Sequence, residues 1–223
     1  QGRCSLSRPL LVDLYCGAGG AAMGYYLARF DVVGVDLVRQ PQYPFPFVQG
    51  DALNPPFDLG RADLIHASPP CQFATAYKRR PGVAEEAVSL IAPTRELLKA
   101  TGRPYVIENV DQADAAAELR NPIRLCGSSF GLDVRRHRLF ESSWPMWSVP
   151  CDHGWQRPRF PGATNRTNLR ATVEVGVWRI PLETQRAAMG IGWMGLSELS
   201  LAIPPAFTRY IGESFLTSAA LVG

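Results

Sequence analysis

Cys71 carries the side chain in this sequence that is best placed to act as a nucleophile. It follows an apolar run, residues 63–66, that is typical of a buried parallel strand, and then Pro69 and Pro70. Each proline fixes its φ angle and removes a backbone donor, so the chain must leave the sheet there. A thiol on a rigid loop after the carboxyl end of a strand lies where open α/β sheets carry out chemistry. A buried structural cysteine is the alternative, since free cysteine behaves as a small hydrophobic residue.

Three strand-end features in the first quarter of the chain predict a nucleoside-binding site. The apolar run 10–15 leads into a glycine-rich turn containing Gly17 and Gly19, and a helical pattern follows. A second strand ends in Asp36, and an acid at about that distance from the turn typically accepts hydrogen bonds from ribose hydroxyls. Asp51 follows a third apolar segment, and we expect it to reach an adenine amino group.

Two residues beside the glycine turn favour S-adenosylmethionine over a dinucleotide as the cofactor. The carboxylate of Asp13 would repel a pyrophosphate but would attract the amino group of a methionine moiety. The ring of Tyr15 could lie against the cationic sulfonium. An NAD-type oxidoreductase remains an alternative that the turn alone would permit.

Five short motifs, taken in order, resemble those of the DNA cytosine-5 methyltransferases. They are DLYCGAGG (13–20), PPCQ (69–72), ENV (108–110), RRHRLF (135–140) and AIPP followed by YIG (202–212). The resemblance implies an α/β fold, a doubly wound and mostly parallel sheet of the S-adenosylmethionine-dependent methyltransferase type. It also implies transfer of a methyl group from S-adenosylmethionine to carbon 5 of cytosine in DNA.

The same resemblance implies roles for individual residues. The catalytic group would be Cys71 as the nucleophile at carbon 6, Glu108 at the opposite ring nitrogen, and Arg138 with Arg136 at the carbonyl oxygen. Pro70 would line the cofactor pocket together with the residues of the first motif. The expected substrate-binding residues are Gln72, Lys78, Arg79, Arg80 and Asn109. The target base would have to be flipped out of a DNA duplex, or lie in single-stranded DNA, to reach Cys71.

The pattern predicts three parts: a catalytic and cofactor-binding core over 8–140, a small target-recognition segment over 141–182, and a return to the core over 183–223. A helix that Pro93 should kink or split is expected over 84–100, and an amphipathic helix over 205–219. The family resemblance implies that this last helix closes the cofactor pocket. The apolar face of the first helix is expected to comprise Ala22, Met23, Tyr26, Leu27 and Phe30. The recognition segment interleaves aromatic residues with arginines: Trp144, Trp147, Trp155 and Trp178 with Arg157, Arg159, Arg166 and Arg170.

The sequence departs from the family pattern in three places. Val134 stands where the arginine motif normally begins with Gln, and Ser200-Leu201 replace the usual Gly-Asn. The recognition segment is also short, so we expect short or relaxed sequence specificity. Alternatives are the same chemistry on RNA or a free cytosine nucleotide, and a non-catalytic DNA-binding relative.

Composition adds weaker constraints. The basic residues are almost all arginine, which suits contacts with phosphates and base edges but also fits a high-GC coding sequence. The five cysteines are scattered, which favours reduced thiols and a cytoplasmic location. The nearest approach to a ligand pair is Cys151-Asp152-His153, and we expect no metal site there. No run is long and apolar enough for a membrane span, no signal-peptide pattern opens the chain, and a monomer is expected.

Overall fold

A computed structural model describes residues 8–70, 89–156 and 172–220, and within them seven strands form one sheet. The sheet order is β3-β2-β1-β4-β5-β7-β6. Strands β1 to β5 run parallel to one another, and β7 lies antiparallel between β5 and β6. The strands are β1 Leu10–Leu14, β2 Asp31–Asp36, β3 Phe47–Gln49, β4 Leu64–Ala67, β5 Tyr105–Val110, β6 Ile123–Cys126 and β7 His137–Ser142.

This topology confirms the predicted mostly parallel α/β sheet. The apolar strands β1 and β4 lie at its centre, where residues on both faces are buried, as expected for a sheet covered by helices. The chain reverses its winding between β1 and β4. The carboxyl ends of these strands therefore border a crevice in which α/β proteins bind their ligands.

Six helices flank the sheet in the described residues. They are α1 Gly20–Leu27, α2 Ile91–Ala100, α3 Ala113–Glu118, α4 Leu182–Met189, α5 Leu196–Leu201 and α6 Pro205–Ala220. The final amphipathic helix is confirmed, with Phe207 and Ile211 fully buried. α2 begins at Ile91, so Pro93 lies in its first turn, where backbone amides have no acceptor within the helix and a proline is tolerated. Residues 89 and 90 of the predicted helix are not helical, and residues 84–88 lie outside the described residues.

The predicted apolar face of α1 is correct only in part: Ala22 and, just after the helix, Phe30 are fully buried, but two of the larger predicted residues are exposed. Tyr26 and Leu27 are 43% and 48% exposed, whereas Gly20, Ala21 and Gly24 are buried. The small residues allow α6 to approach closely: a Cβ atom at Gly24 would lie 2.0 Å from the Thr208 hydroxyl oxygen. The hydroxyl of Thr208 also donates to the Ala21 carbonyl at 2.8 Å. The last helix therefore packs mainly against α1.

A buried ion pair holds β7 near its carboxyl end, which lies away from the crevice. Arg95 of α2 and Glu141 of β7 are 4% and 2% exposed, and two guanidinium nitrogens each lie 2.7 Å from a carboxylate oxygen. The backbone amide of Arg120 and the hydroxyl of Tyr105 also donate to Glu141. The full set of partners allows the two charges to be buried together.

The predicted recognition segment contains no helix or strand within its described parts, residues 143–156 and 172–181, apart from an isolated bridge at Gln156. Strand β7 runs two residues beyond the predicted core boundary at 140. In the three described stretches, no helix has both the length and the apolar character needed to cross a membrane.

Candidate active site

The glycine-rich turn joins β1 to α1 in a strained conformation that leaves room for a ligand. Tyr15, Gly17 and Gly19 have positive φ angles of 56°, 48° and 85°. A Cβ atom built at Gly17 would meet no atom within 4 Å, so the space beside it is open. Gly19 precedes the first residue of α1, and the amino end of that helix favours negative groups.

Asp13 is buried beneath this turn with no adequate partner. It is fully buried, and neither carboxylate oxygen has a hydrogen bond of normal geometry within the described residues. Burial and then repulsion from Asp36 raise its pKa well above the ordinary value, although nearby Tyr43 and Ala22 offset part of this rise. A buried carboxylate in this condition is stabilised by a cationic ligand group, such as an amino group.

Asp36 closes the turn from the end of β2. One carboxylate oxygen accepts the amide of Gly17 at 3.0 Å, and the other accepts the amide of Val38 at 3.0 Å. Asp51 is exposed, and it accepts the amide of Leu53 at 2.9 Å. Both acids therefore stand at the strand ends where a ribose and an adenine were predicted, and both also shape the local backbone.

Tyr15 reaches across the crevice to α2. Its hydroxyl lies 2.9 Å from the hydroxyl oxygen of Thr94, which is fully buried. Burial raises the pKa of Tyr15, and the carboxylate of Asp51 raises it further, so these two residues lie near each other. Sequence reasoning missed Thr94, since a threonine in a helix carries no signal of such a contact.

Glu108 and Arg138 form a largely buried ion pair at the end of β5. The Nε atom of Arg138 lies 3.0 Å from a carboxylate oxygen of Glu108, and their side chains are 14% and 8% exposed. Val110 pairs with Arg138 and Glu108 pairs with Phe140, so both charged side chains project from the same face of the sheet. Burial raises the pKa of Glu108, although Arg138, Ser68 and Arg136 each lower it. The carboxyl group is thus tuned towards holding a proton.

Arg136 lies beside this pair and is held from the other side by the chain that precedes α6. Its guanidinium donates to the carbonyl oxygen of Ser200. Its Nε atom is buried without a hydrogen-bond partner in the described residues. Burial and the neighbouring charge of Arg138 lower the pKa of Arg136 to about 9. Ser200, which departs from the family pattern, therefore contacts Arg136, a predicted catalytic residue, through its backbone carbonyl.

Asn109 ties the proline loop to β5. Its amide nitrogen donates to the carbonyl oxygen of Pro69 at 3.0 Å, and its amide oxygen accepts the Val110 backbone amide at 2.9 Å. The side chain is 2% exposed, so the structure gives it a task in positioning the loop. Pro70 is exposed at the mouth of the crevice. The predicted nucleophile, Cys71, comes next and lies outside the described residues.

A chain of polar contacts reaches Glu108 from the core. The hydroxyl of Tyr25 lies 3.0 Å from Nδ1 of His66, and Nε2 of His66 lies 2.9 Å from the hydroxyl oxygen of Ser68. Although burial raises the pKa of the Glu108 carboxyl group overall, Ser68 lies close enough to Glu108 to lower that pKa. Burial lowers the pKa of His66 to about 3, so the ring is neutral. Sequence reasoning missed this chain, although His66 and Ser68 flank the end of β4.

The structure brings the two predicted halves of the site together. Asp13 and Glu108 are close enough that their charges repel and raise the pKa of Asp13. The glycine turn, Asp36, the proline loop and Glu108 all lie at the carboxyl ends of parallel strands, and the antiparallel β7 brings Arg138 to the same edge. Four predicted substrate-binding residues lie outside the described residues: Gln72, Lys78, Arg79 and Arg80.

The tryptophans of the recognition segment divide into two kinds. Trp147 and Trp178 are 81% and 90% exposed. Trp144 instead packs against the core beside Phe215, with ring centroids 5.3 Å apart, and Trp155 is half-buried. The arginines expected to lie between them, Arg157, Arg159, Arg166 and Arg170, are outside the described residues.

Comparison with known proteins establishes the fold. No protein-family model and no curated protein sequence matches the chain. The structure is similar to that of a candidate DNA modification methyltransferase encoded within an E. coli prophage, with 13% sequence identity and a TM-score of 0.58. That similarity covers 94% of this chain and 99% of the other. The predicted methyltransferase-type fold is therefore confirmed.

Two further structures match over part of this chain. The S. pombe Dnmt2 methyltransferase is 22% identical over 64% of this chain and 52% of its own, with a TM-score of 0.46. A Spodoptera frugiperda DNMT2 mutant is 17% identical over 63% of this chain and 53% of its own, also with a TM-score of 0.46. The chain spans about half the length of these two proteins.

Proposed function

We propose that this protein transfers a methyl group from S-adenosylmethionine to carbon 5 of cytosine in DNA, through a covalent adduct with Cys71. The observation that carries the proposal is the buried Glu108–Arg138 pair, which lies beside the loop that leads into Cys71. The motif resemblance to DNA cytosine-5 methyltransferases supports the same assignment, since these residues occupy the matching positions.

The charge of the residues around the glycine turn supports S-adenosylmethionine as the cofactor. The unpaired carboxylate of Asp13 would hold the amino group of the methionine moiety, and the open space beside Gly17 would accept the cofactor backbone. Asp36 would hold ribose hydroxyls, Asp51 the adenine amino group, and Tyr15 and Pro70 would line the pocket. When bound, the cofactor supplies an electrophilic methyl group. A pyrophosphate would meet the charge of Asp13, which disfavours a dinucleotide.

The protein side chains would make carbon 5 of the base reactive. The thiolate of Cys71 adds to carbon 6 and forms a carbon–sulfur bond, and the electrons of the carbon 5–carbon 6 double bond move into the ring. Glu108 gives its proton to ring nitrogen 3, so the added charge is neutralised. The guanidinium groups of Arg138 and Arg136 hold the carbonyl oxygen at carbon 2.

Carbon 5 then carries the electron pair that would form the bond to the methyl group, while the methyl–sulfur bond breaks and its electron pair stays on sulfur, so that S-adenosylhomocysteine leaves. Loss of the proton from carbon 5 to water re-forms the double bond and expels the sulfur of Cys71. Glu108 recovers its proton from nitrogen 3. The raised pKa of Glu108 suits this cycle, because its carboxyl group must hold a proton before the base is attacked.

The surface supports nucleic acid as the substrate. The exposed rings of Trp147 and Trp178 could stack on bases, and Gln72, Lys78, Arg79 and Arg80 would contact the target base and backbone phosphates. The recognition segment is short and its described parts lack helices and strands beyond one bridge, so it can contact few base pairs. We therefore expect short or relaxed sequence specificity.

A mechanism-based trap tests the covalent step. In DNA containing 5-fluorocytosine the fluorine cannot leave as a proton does, so the adduct should accumulate and migrate as a stable protein–DNA complex in a denaturing gel. The complex should form with the native chain and be lost in Cys71→Ser. Cys4→Ser, which replaces another thiol in the same way, should still form it. An adduct that persists in Cys71→Ser would refute the assignment of the nucleophile.

A substrate comparison tests the choice of DNA. Methyl transfer from labelled S-adenosylmethionine should be measured with duplex DNA, single-stranded DNA, tRNA and dCTP. We expect transfer to DNA, and bisulfite sequencing of the product should show modified cytosines in a short context. Methyl transfer to tRNA or dCTP but not to DNA would show that the same reaction acts on another substrate. A long recognition site that is required for methylation would contradict the expected specificity.

A further inference from the structure

Two cysteines and two histidines meet at the edge of the sheet beyond Arg138. They are Cys126, His137, Cys151 and His153. One ligand atom from each residue lies within 4.8 Å of all the others. The whole chain has only three histidines and five cysteines, and the remaining histidine, His66, is buried in the core.

Two of the four side chains come from neighbouring strands. Cys126 is the last residue of β6 and His137 the first of β7, and the two are directly paired in the antiparallel register. Side chains of directly opposed residues project from the same face, so the thiol and the imidazole lie side by side. His137 lies between Arg136 and Arg138 in the sequence, and the alternation along β7 directs its side chain to the opposite face from that of Arg138.

The other two side chains come from the segment that follows β7. Cys151 and His153 are separated by one residue, and a turn holds them in place: the backbone amide of Gly154 donates to Asp152 at 3.0 Å. Each thiol contacts the imidazole from the other part of the chain. The sulfur of Cys151 lies 3.4 Å from Nε2 of His137, and the sulfur of Cys126 lies 3.3 Å from Nε2 of His153. The two imidazole rings have centroids 5.5 Å apart.

These distances suit a tetrahedral zinc centre. With Zn–S and Zn–N bonds of about 2.3 and 2.0 Å, sulfur and nitrogen ligands on one zinc ion lie roughly 3.5 Å apart. The hydroxyl of Ser128, which is 3% exposed, donates to the sulfur of Cys126 at 3.2 Å. A hydrogen bond of this kind stabilises a metal-bound thiolate and fixes its orientation.

We propose that Cys126, His137, Cys151 and His153 together bind one zinc ion. Two thiolates and two imidazoles complete the tetrahedral coordination of zinc and leave no open position for water, so the site is structural. The ion connects β6 and β7, at the edge of the sheet, to residues 151–153, which form no helix or strand. It also fixes His137, and through it the start of β7, which carries Arg138 and directly follows Arg136. The expectation of no metal site, made from the Cys-Asp-His triplet alone, is replaced by this proposal.

The alternative is a cluster held by hydrogen bonds between thiols and imidazoles, without a metal. Metal content separates the two directly and does not depend on methyl transfer. The full chain should be purified with a reductant from cells supplied with zinc, dialysed, and analysed by inductively coupled plasma mass spectrometry. We expect about one zinc ion per chain.

Matched variants locate the ion. Cys151→Ser and His153→Ala should each lower the retained zinc at least about tenfold. Cys151 is exposed and His153 half-buried, so these changes spare the core, which circular dichroism would verify. Asp152→Asn, the residue between them, should keep the zinc. Cobalt(II) bound to the native chain should give the visible absorption of a tetrahedral thiolate complex, and Cys151→Ser should weaken the sulfur-to-cobalt charge-transfer band.

Either of two results would overturn the proposal. One is a native, fully reduced chain that holds no stoichiometric zinc after zinc is supplied. The other is a zinc content that Cys151→Ser and His153→Ala both leave unchanged.

Discussion

Replacement of Asp13 by Asn should stabilise the free protein and weaken its binding of cofactor. Both carboxylate oxygens of Asp13 are buried without a well-formed hydrogen bond in the described residues, and Asp36 repels them. Asn has the same size and no charge. A residue whose substitution raises the stability of the free protein is typically one that serves binding rather than folding.

The magnitude follows from the burial. An unpaired buried charge costs several kcal/mol, whereas an unpaired neutral polar group costs about 1–3 kcal/mol. We therefore expect Asp13→Asn to raise the free energy of unfolding by about 1–3 kcal/mol at alkaline pH without cofactor. For a chain of this size the Tm should rise by roughly 2–4 °C for each kcal/mol.

The pH dependence has a definite sign. The pKa of Asp13 is raised in the folded state above its ordinary value of 3.8. Its contribution to stability is therefore fully present below the unfolded pKa and is lost as the pH rises through the folded pKa. The stability gap between Asp13→Asn and the native chain should close near about pH 4 and widen at higher pH.

Binding should change in the opposite direction. A hydrogen bond to a charged group contributes about 1.5–3 kcal/mol, so the affinity for S-adenosylhomocysteine should fall roughly 10- to 150-fold in Asp13→Asn. Calorimetric titration measures the affinity, and thermal unfolding with and without the ligand measures the stability. Asp114→Asn, an exposed acid in α3, should change neither. If Asp13→Asn is less stable than the native chain and binds the ligand equally well, the role given to this carboxylate is wrong.

Two further predictions concern the proton donor and the helix contact. Because the protonated form of Glu108 is the active one, kcat/KM should decline as the pH rises through its raised pKa. Arg138→Gln removes a charge that lowers this pKa, so the decline should move to higher pH while turnover falls; an unmoved profile would contradict the assignment. Gly24→Ala places a methyl group against Thr208 and the α6 backbone, and urea unfolding should show a loss of about 1–3 kcal/mol. Gly192→Ala, where a Cβ meets nothing within 4 Å, should be within about 0.5 kcal/mol of the native chain.

The sequence predicts the parallel strands well, because continuous apolar runs leave few alternatives. β1, β2 and β5 each carry an assigned polar residue at or near their carboxyl end, and the sheet brings those ends to one edge. The roles of single side chains are harder to predict, as Asn109 illustrates. A side-chain amide near the end of a strand could bind the substrate or the backbone. Only the fold shows that the amide nitrogen of Asn109 donates to the carbonyl oxygen of Pro69.

Contacts between small or distant residues carry little signal in one sequence. The buried face of α1 consists largely of Gly and Ala, which a hydrophobic pattern does not count, so the larger Tyr26 and Leu27 were wrongly placed inside. The four residues of the proposed zinc site come from two strands and a separate segment. Their spacing in the sequence does not predict that the register of β6 and β7 brings two of them together.

The close contact between α1 and α6 has a consequence for the order of events during synthesis. Thr208 bonds to Ala21 across 187 positions of sequence, and the indole of Trp193 bonds to the carbonyl of Ala18 across 175. The helix after the glycine turn therefore emerges from the ribosome long before its packing partner is made. Until residues 205–220 are made, the small-residue surface of α1 at Gly24 lacks the helix that packs on it, so the cofactor-binding half completes its fold only after α6 has been synthesised.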